Sequence, residues 1–257
     1  MEILIVSIVA LMASALTLFS GFGLGTLLMP VVAIFFPLEI AIAITAMVHL
    51  ANNVFKVALL GRQADHSTLI RFGIPAVLCA FLGAFVLSWL SGMEPFFAYI
   101  AFEKQLLVSP IKLIVGLLIL IFVLLELSPK FSAVKFDKKY LPFGGAISGF
   151  FGGLSGHQGA FRSMFLLKAG LTKEKFVATG VMLAVMVDIS RMAMYGWEMS
   201  AQRQEIEWQL VIAASLSAFV GAYFGVRLLK KITIRTIQIA VSALLVIISL
   251  GLISGLL

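Results

Sequence analysis

The chain has 257 residues, of which 61% are apolar and only 12% charged, with a formal net charge of +7. Soluble domains carry about 25% charged and about 45–50% apolar residues, so a soluble secreted or cytosolic globule is excluded; disorder, which needs low hydrophobicity, is excluded as well. The surplus cations do not point to nucleic acid, because they sit in short loops between uncharged runs, where they set membrane orientation.

Ile3–Leu38 runs 36 residues without an acidic or basic side chain, and Phe72–Met93 and Thr236–Leu257 each run 22. About 20 apolar residues span a bilayer as a helix. In lipid the backbone must be satisfied within the segment, so the expected fold is an all-α polytopic membrane protein. In chain order the first segments are 3–19 and 24–36, then 40–60, 69–91 and 109–128. A basic stretch, 129–140, follows. After it come 141–154, 160–171, 175–196, 209–229 and 235–256. Met1-Glu2-Ile3 lacks the basic region of a cleaved signal peptide and is read as mature sequence. The single cysteine, Cys79, excludes a disulfide framework, and the three histidines show no metal-ligand spacing, so no cofactor or metal is expected.

Shifting the chain by 135 residues lays Ser20-Gly21 on Ser155-Gly156, Met29 on Met164, Glu39 on Glu174, Ala43 on Ala178, Met47 on Met182 and Gly61 on Gly196. Two repeats are therefore expected, 1–128 and 141–257, joined by a cytoplasmic linker at 129–140. Each has five segments, and an odd number inserts the second copy upside down. The cations agree: thirteen fall on the side away from the N-terminus and three on the other. By the positive-inside rule both termini face outward across a plasma (inner) membrane.

The first two segments of each repeat are short. At 1.5 Å per residue their arms reach roughly 22–25 Å, less than the hydrocarbon core of about 30 Å. We read 3–36 and 141–171 as helical hairpins whose tips end inside the membrane. One tip runs through Ser20, Gly21, Gly23, Gly25 and Thr26, the other through Ser155, Gly156, His157, Gln158, Gly159 and Arg162. The regular spacing of Gly145, Gly149 and Gly153 also suits close helix contact. Polar side chains at such depth are costly unless they serve a site. Half-helix N-termini present free amides and a positive dipole end, and Arg162 adds a planar cation. The ligand this suits is a small oxyanion.

The openings Gly21-Phe-Gly-Leu-Gly-Thr-Leu-Leu-Met-Pro30 and Gly153-Leu-Ser-Gly-His-Gln-Gly159 resemble those of the sulfite-exporter-like TauE/SafE transporters. Pro37 and Ala43-Ile-Thr45 follow the first, and Gly170-Leu171 and Ala178-Thr179-Gly180 follow the second. The resemblance implies a carrier of sulfite, sulfonates, sulfoacetate or a similar carboxylate. His157-Gln158 and Arg162 depart from the family's more glycine-rich and apolar pattern.

Further candidates lie on the longer segments. Asp188 and Arg191 share one face of segment 175–196, either as a self-neutralising pair or as a coupling site with His157. Asn52 and Asn53 suit either substrate or another helix. Asn53 and Lys56 are the pseudo-symmetric counterpart of Asp188 and Arg191, and Lys56, near the cytoplasmic end, is open to the simpler reading that it snorkels. His49 stands alone and is read as a satisfied core histidine. Trp89, Phe96, Phe97, Tyr99 and Phe102 look like an interfacial aromatic belt. The Gly153-Leu-Ser155-Gly156 run resembles a rhomboid protease motif, but no histidine follows His157 to activate the serine, so no enzyme is expected.

The function expected is secondary transport of a small organic or sulfur oxyanion by alternating access, with proton coupling left open. A passive anion channel, or a membrane scaffold subunit without its own substrate, stands as the alternative. The expected partners are the anion, the lipid bilayer and no nucleic acid; protons and a homo-oligomer are left open.

Overall fold

The computed structural model describes residues 1–20, 24–101, 103–128, 134, 136–167, 169–198, 206–228 and 234–257. Its helices are α1 (Glu2–Ser20), α2 (Leu24–Val32), α3 (Leu38–Leu60), α4 (His66–Ser91), α5 (Pro110–Leu127), α6 (Leu141–Ser155), α7 (Gly159–Leu166), α8 (Lys173–Glu198), α9 (Trp208–Leu228) and α10 (Ile234–Ser254). Among the described residues, the stretches Leu38–Gln63, His66–Ser91 and Lys173–Gly196 are long and apolar enough to cross a bilayer. Shorter apolar stretches cover Glu2–Leu16, Pro110–Leu125, Trp208–Phe224 and Ser242–Ser254.

The outward faces identify the solvent. On α4, Ile70, Ile74, Leu78, Phe85 and Trp89 are all exposed at helical spacing, and α9 exposes Ile212, Leu216, Val220 and Phe224 in the same way. On α1 the stripe is Leu4, Ile8 and Met12. In water such stripes would be aggregation sites. Here they are the lipid-facing surface of an all-α, membrane-embedded protein. Helix α3, by contrast, is buried along most of its length, from Leu38 through Lys56.

Glycines set how closely the helices approach. A Cβ on Gly145, Gly149 or Gly153 would stand 2.1, 2.0 or 2.0 Å from the carbonyl oxygens of Phe72, Ala76 and Ala80. Helices α4 and α6 therefore meet backbone to backbone, as the four-residue spacing suggests. Gly221 of α9 approaches the Leu11 carbonyl of α1 in the same manner, at 2.1 Å. Besides α4 on α6 and α1 on α9, α3 lies against α8 and α5 against α10. Helix α4 also touches α8, while α9 touches α3.

One element was hidden from the sequence reading. The stretch between α4 and α5 forms an antiparallel ribbon, β1 (Phe97–Ala101) and β2 (Lys104–Val108), with Phe97 opposite Val108 and Ala101 opposite Lys104. Glu103, at φ 60°, turns the chain between them. The Tyr99 hydroxyl donates to the Ser254 carbonyl at 2.6 Å, which pins the ribbon to the end of α10. Trp89, Phe96 and Phe97 stay exposed, as a belt residue would, while Phe102 lies outside the described residues.

Candidate functional site

Helices α3 and α8 pass each other in the interior, and the short helices α2 and α7 come against them, α2 on α3 and α7 on α8. Gly156 closes α6 in the left-handed region at φ 81°, a conformation open to glycine at little cost, with its amide returning to the Gly152 carbonyl at 3.0 Å. That turn lets the chain reverse into α7 within three residues, and it exposes the Gly156 carbonyl to α2. A Cβ on Gly25 would lie 3.9 Å from the Gly156 oxygen, 3.9 Å from His49 Cδ2 and 3.6 Å from Thr45 Cγ2. Gly25 of the first opening thus stands beside Gly156 of the second, with His49 and Thr45 of α3 against Gly25 as well.

Asp188 is the hub of the polar interior. It is fully buried, and donors from three elements converge on it. His49 Nδ1 of α3 donates to Oδ2 at 2.6 Å, and Arg191 Nη2, one turn further along α8, lies 2.8 Å from Oδ1. Asn53 Nδ2 and Gln158 Nε2 reach the two oxygens at 3.4 Å each. Gln158 is itself fixed: Ser148 Oγ donates to its backbone carbonyl at 3.0 Å, and Arg162 Nη1 donates to its Oε1 at 3.4 Å. A buried carboxylate needs such a shell, because an unpaired charge in a low-dielectric interior is very costly.

The second opening is held from two more directions. Tyr195 of α8 donates its hydroxyl to the Gly153 carbonyl at 2.8 Å. His157 Nδ1 donates to the Ser155 carbonyl at 3.0 Å, which leaves Nε2 buried without a hydrogen-bond partner. Its ring sits 5.6 Å from Phe122 of α5, in an aromatic group with Phe151 and Phe161. The Gly156 backbone faces Arg191, whose Nη1 would lie 2.9 Å from a Cβ there.

The sequence-chosen residues divide accordingly. Gly25, Asn53, Gly156, Gln158, Arg162, Asp188 and Arg191 belong to one connected group. Thr26 and Gly159 are buried at the starts of α2 and α7. Ser155 donates its hydroxyl back to Phe151 O at 3.2 Å, within its own helix. Asn52 turns away from Asp188 and faces Ser14 of α1. Gly21 and Gly23 lie outside the described residues, as does the side chain of Ser20.

Three residues were undervalued in the sequence. His49 is a satisfied core histidine, but its partner is the carboxylate at the centre of the group, 139 residues away. Lys56 does not snorkel: it is 4% exposed, and its ammonium lies 3.1 Å from the Asn52 oxygen when that amide is oriented to donate to the Ala218 carbonyl. Thr45, whose buried hydroxyl has no hydrogen-bond partner, also faces Gly25. A polar residue within an otherwise apolar run was the available signal for all three.

A cavity of about 260 Å³ opens beyond the group, between the first half of α3 and the end of α8. Ala43, Met47, Met192, Tyr195 and Trp208 line it, so it offers no charge to an anion.

The family model described as Sulfite exporter TauE/SafE matches residues 6–252. Neither a curated protein nor a solved structure matches the chain.

Proposed function

The chain belongs to the sulfite exporter TauE/SafE family, and from that premise we propose that it carries a small sulfur-containing or organic oxyanion across the membrane by alternating access. The coarse function follows from the family: a membrane transporter of the anion or sulfite-exporter type. Sulfite, a sulfonate, sulfoacetate or a similar carboxylate is the proposed cargo. The observation that carries the reading is the meeting of Gly25 with the Gly156 carbonyl beside His49, in a group that also holds the buried Arg191 and the half-buried Arg162. Glycines let a ligand approach the backbone, and fixed cations hold oxyanions by paired N–H groups.

The exchange of partners between halves supports an inverted repeat of 1–128 and 141–257. Helix α4 lies on α6 as α9 lies on α1, while α3 and α8, and α5 and α10, face their own counterparts. In this reading the site lies between the halves, near mid-membrane, as in other inverted-repeat carriers. Movement of one half against the other would open it to each side in turn. The chain would sit in the plasma membrane with both termini outside.

The same geometry supports proton coupling. His49 and Asp188 come from different halves, so their hydrogen bond spans the interface that must move. A proton shared between them would tie the state of the interface to the protonation of the pair. His157 and Arg191, which flank Gly156, are the neighbouring coupling candidates.

The test is uptake by purified protein in proteoliposomes. Sulfite or sulfoacetate should accumulate against its gradient when a driving gradient is imposed. Arg162→Ala should abolish uptake while the protein still inserts and elutes as a single species. Strictly downhill flux would favour a passive facilitator. No flux, with no thermal shift from sulfite, sulfonates or dicarboxylates, would favour a subunit without its own substrate.

A further inference from the structure

Buried hydroxyls inside the helices of this protein turn back to their own backbone. Ser155, Ser190 and Ser215 each donate to the carbonyl four residues earlier, at 3.2, 2.8 and 2.7 Å. Thr45 of α3 does not. It is 3% exposed, and its hydroxyl has no hydrogen-bond partner among the described residues. Buried polar groups are almost always hydrogen-bonded, and an exception calls for a partner from outside the fold, such as a bound ion.

The neighbours of Thr45 say where that partner would sit. The Thr45 methyl, on the same carbon as the hydroxyl, lies 3.6 Å from where a Cβ on Gly25 would be. His49 Cδ2 and the Gly156 carbonyl oxygen follow, at 3.9 Å each. These are ordinary contact distances. A Cβ on Gly145, Gly149, Gly153 or Gly221 would stand 2.0 to 2.1 Å from a carbonyl oxygen, so close helix contact demands those glycines. Gly25 is buried too, yet nothing packed against it excludes a methyl group. Glycine loses more conformational freedom on folding than alanine does, so packing alone gives no reason for it here. What Gly25 leaves is room for one further atom, beside Thr45. The Gly156 carbonyl already accepts from the Gln158 amide at 3.1 Å. Arg191 Nε is a second buried donor without a hydrogen-bond partner, and Nη1 of the same guanidinium lies 2.9 Å from the Cβ position of Gly156.

From this placement we propose that one oxygen of the transported oxyanion seats beside Gly25, and that Thr45 is the residue that reads it. The Thr45 hydroxyl donates to that oxygen, Gly25 keeps the place open, and the Arg191 guanidinium lends positive potential from the Gly156 side. The proposal rests on the anion-transport reading and deepens it by naming a contact residue and the place of contact.

The experiment pairs uptake with stability, so that a merely structural role shows itself. Purified protein in proteoliposomes is assayed with sulfite and with sulfoacetate. Thr45→Val keeps the side chain's shape and removes the hydroxyl. Its kcat/KM should fall by about tenfold or more, the order expected for losing a hydrogen bond to a charged group. Its Tm in detergent without anion should equal or exceed that of wild type, since no hydrogen bond within the protein is lost. Thr45→Ser restores the hydroxyl and should restore most of the uptake. Gly25→Ala should fold with a wild-type Tm or a higher one, yet lose both uptake and the thermal shift that the transported anion gives wild type. Wild-type uptake by Thr45→Val or by Gly25→Ala overturns the proposal and leaves the carrier standing. A lower Tm or a failure to fold in Thr45→Val, repaired by Thr45→Ser, assigns the hydroxyl to the fold and overturns it as well. So does a destabilised Gly25→Ala, which would make that glycine a packing residue. Wild type that moves neither anion overturns the transport reading and the proposal together.

Discussion

His49 Nδ1 lies 2.6 Å from Asp188 Oδ2, joining α3 to α8 across 139 residues of chain. Both side chains are buried, so this contact is made away from water. The same carboxylate pairs with Arg191 at 2.8 Å. Removing one member of a buried ionic group leaves the others uncompensated.

Asp188→Ala should therefore be strongly destabilising, by about 3–5 kcal/mol, because Arg191 is left charged and unpaired in the interior. Thermal unfolding in detergent measures the loss. Replacing Asp188 and Arg191 together by apolar residues of similar volume should recover much of it, since neither charge then remains to be solvated. An Asp188→Ala variant with the wild-type Tm would show that the group contributes nothing to the fold.

The membrane class was legible because charge-free runs of 22 to 36 residues have no other use in a chain of this length. The Asp188–Arg191 contact was legible because three residues separate them on a helix, which puts them on one face. The His49–Asp188 contact was not. In so apolar a chain the lipid face and the buried face have the same composition, so periodicity does not say which way His49 points. Lys56 was misread for a related reason. A lysine near a helix end can reach the interface, and only its burial and its contact with Asn52 show that it stays inside. The ribbon at 97–108 was missed because its strands are unbroken apolar runs, Phe97 to Phe102 and Leu106 to Val108, without the alternation of a half-buried strand, and its aromatic residues read as an interfacial belt.

The backbone contact between α4 and α6 should make Gly149 intolerant of even one methyl group. An alanine Cβ there would stand 2.0 Å from the Ala76 carbonyl oxygen, which is backbone and cannot rotate aside. Gly149→Ala should cost about 1–3 kcal/mol as the helices are forced apart. Gly196→Ala is the matched control: nothing lies within 4 Å of its Cβ position, and loss of glycine's backbone freedom should leave stability unchanged or slightly raised. Equal thermal shifts for the two variants would refute the close-contact account.

Asp65 should confer a small acid-sensitive contribution to stability. Its carboxylate caps α4 by accepting from the Thr68 hydroxyl at 2.7 Å and the Thr68 amide at 2.9 Å. These two bonds, the hydroxyl's foremost, hold its pKa below the ordinary carboxylate value. A depressed folded pKa means stability that is complete above the unfolded value of about 3.9 and lost as pH falls through the lower folded value. Asp65→Ala should cost about 1 kcal/mol at neutral pH, with the difference from wild type shrinking in acid. Asp65→Asn can still cap but cannot titrate, so its stability should lack that acid-dependent step. A constant gap between wild type and Asp65→Ala down to acid denaturation would remove the cap from the pH dependence.

The last prediction separates the two buried histidines as proton carriers. His157 is confined to its own opening: Nδ1 is bound to Ser155, and the ring lies against Phe122. His49 bridges α3 and α8, so its protonation bears on a contact that the proposed alternating access would have to break. Gln can replace a neutral imidazole as donor and acceptor, but it does not titrate near neutral pH. If coupling runs through the bridge, His49→Gln should flatten the pH profile of uptake and leave only downhill flux. His157→Gln should then lower the rate without changing the profile. The opposite pattern, a flat profile from His157→Gln and a normal one from His49→Gln, would move the proton to the second opening. Two unchanged profiles would detach transport from both histidines and turn attention to a coupling ion other than H⁺.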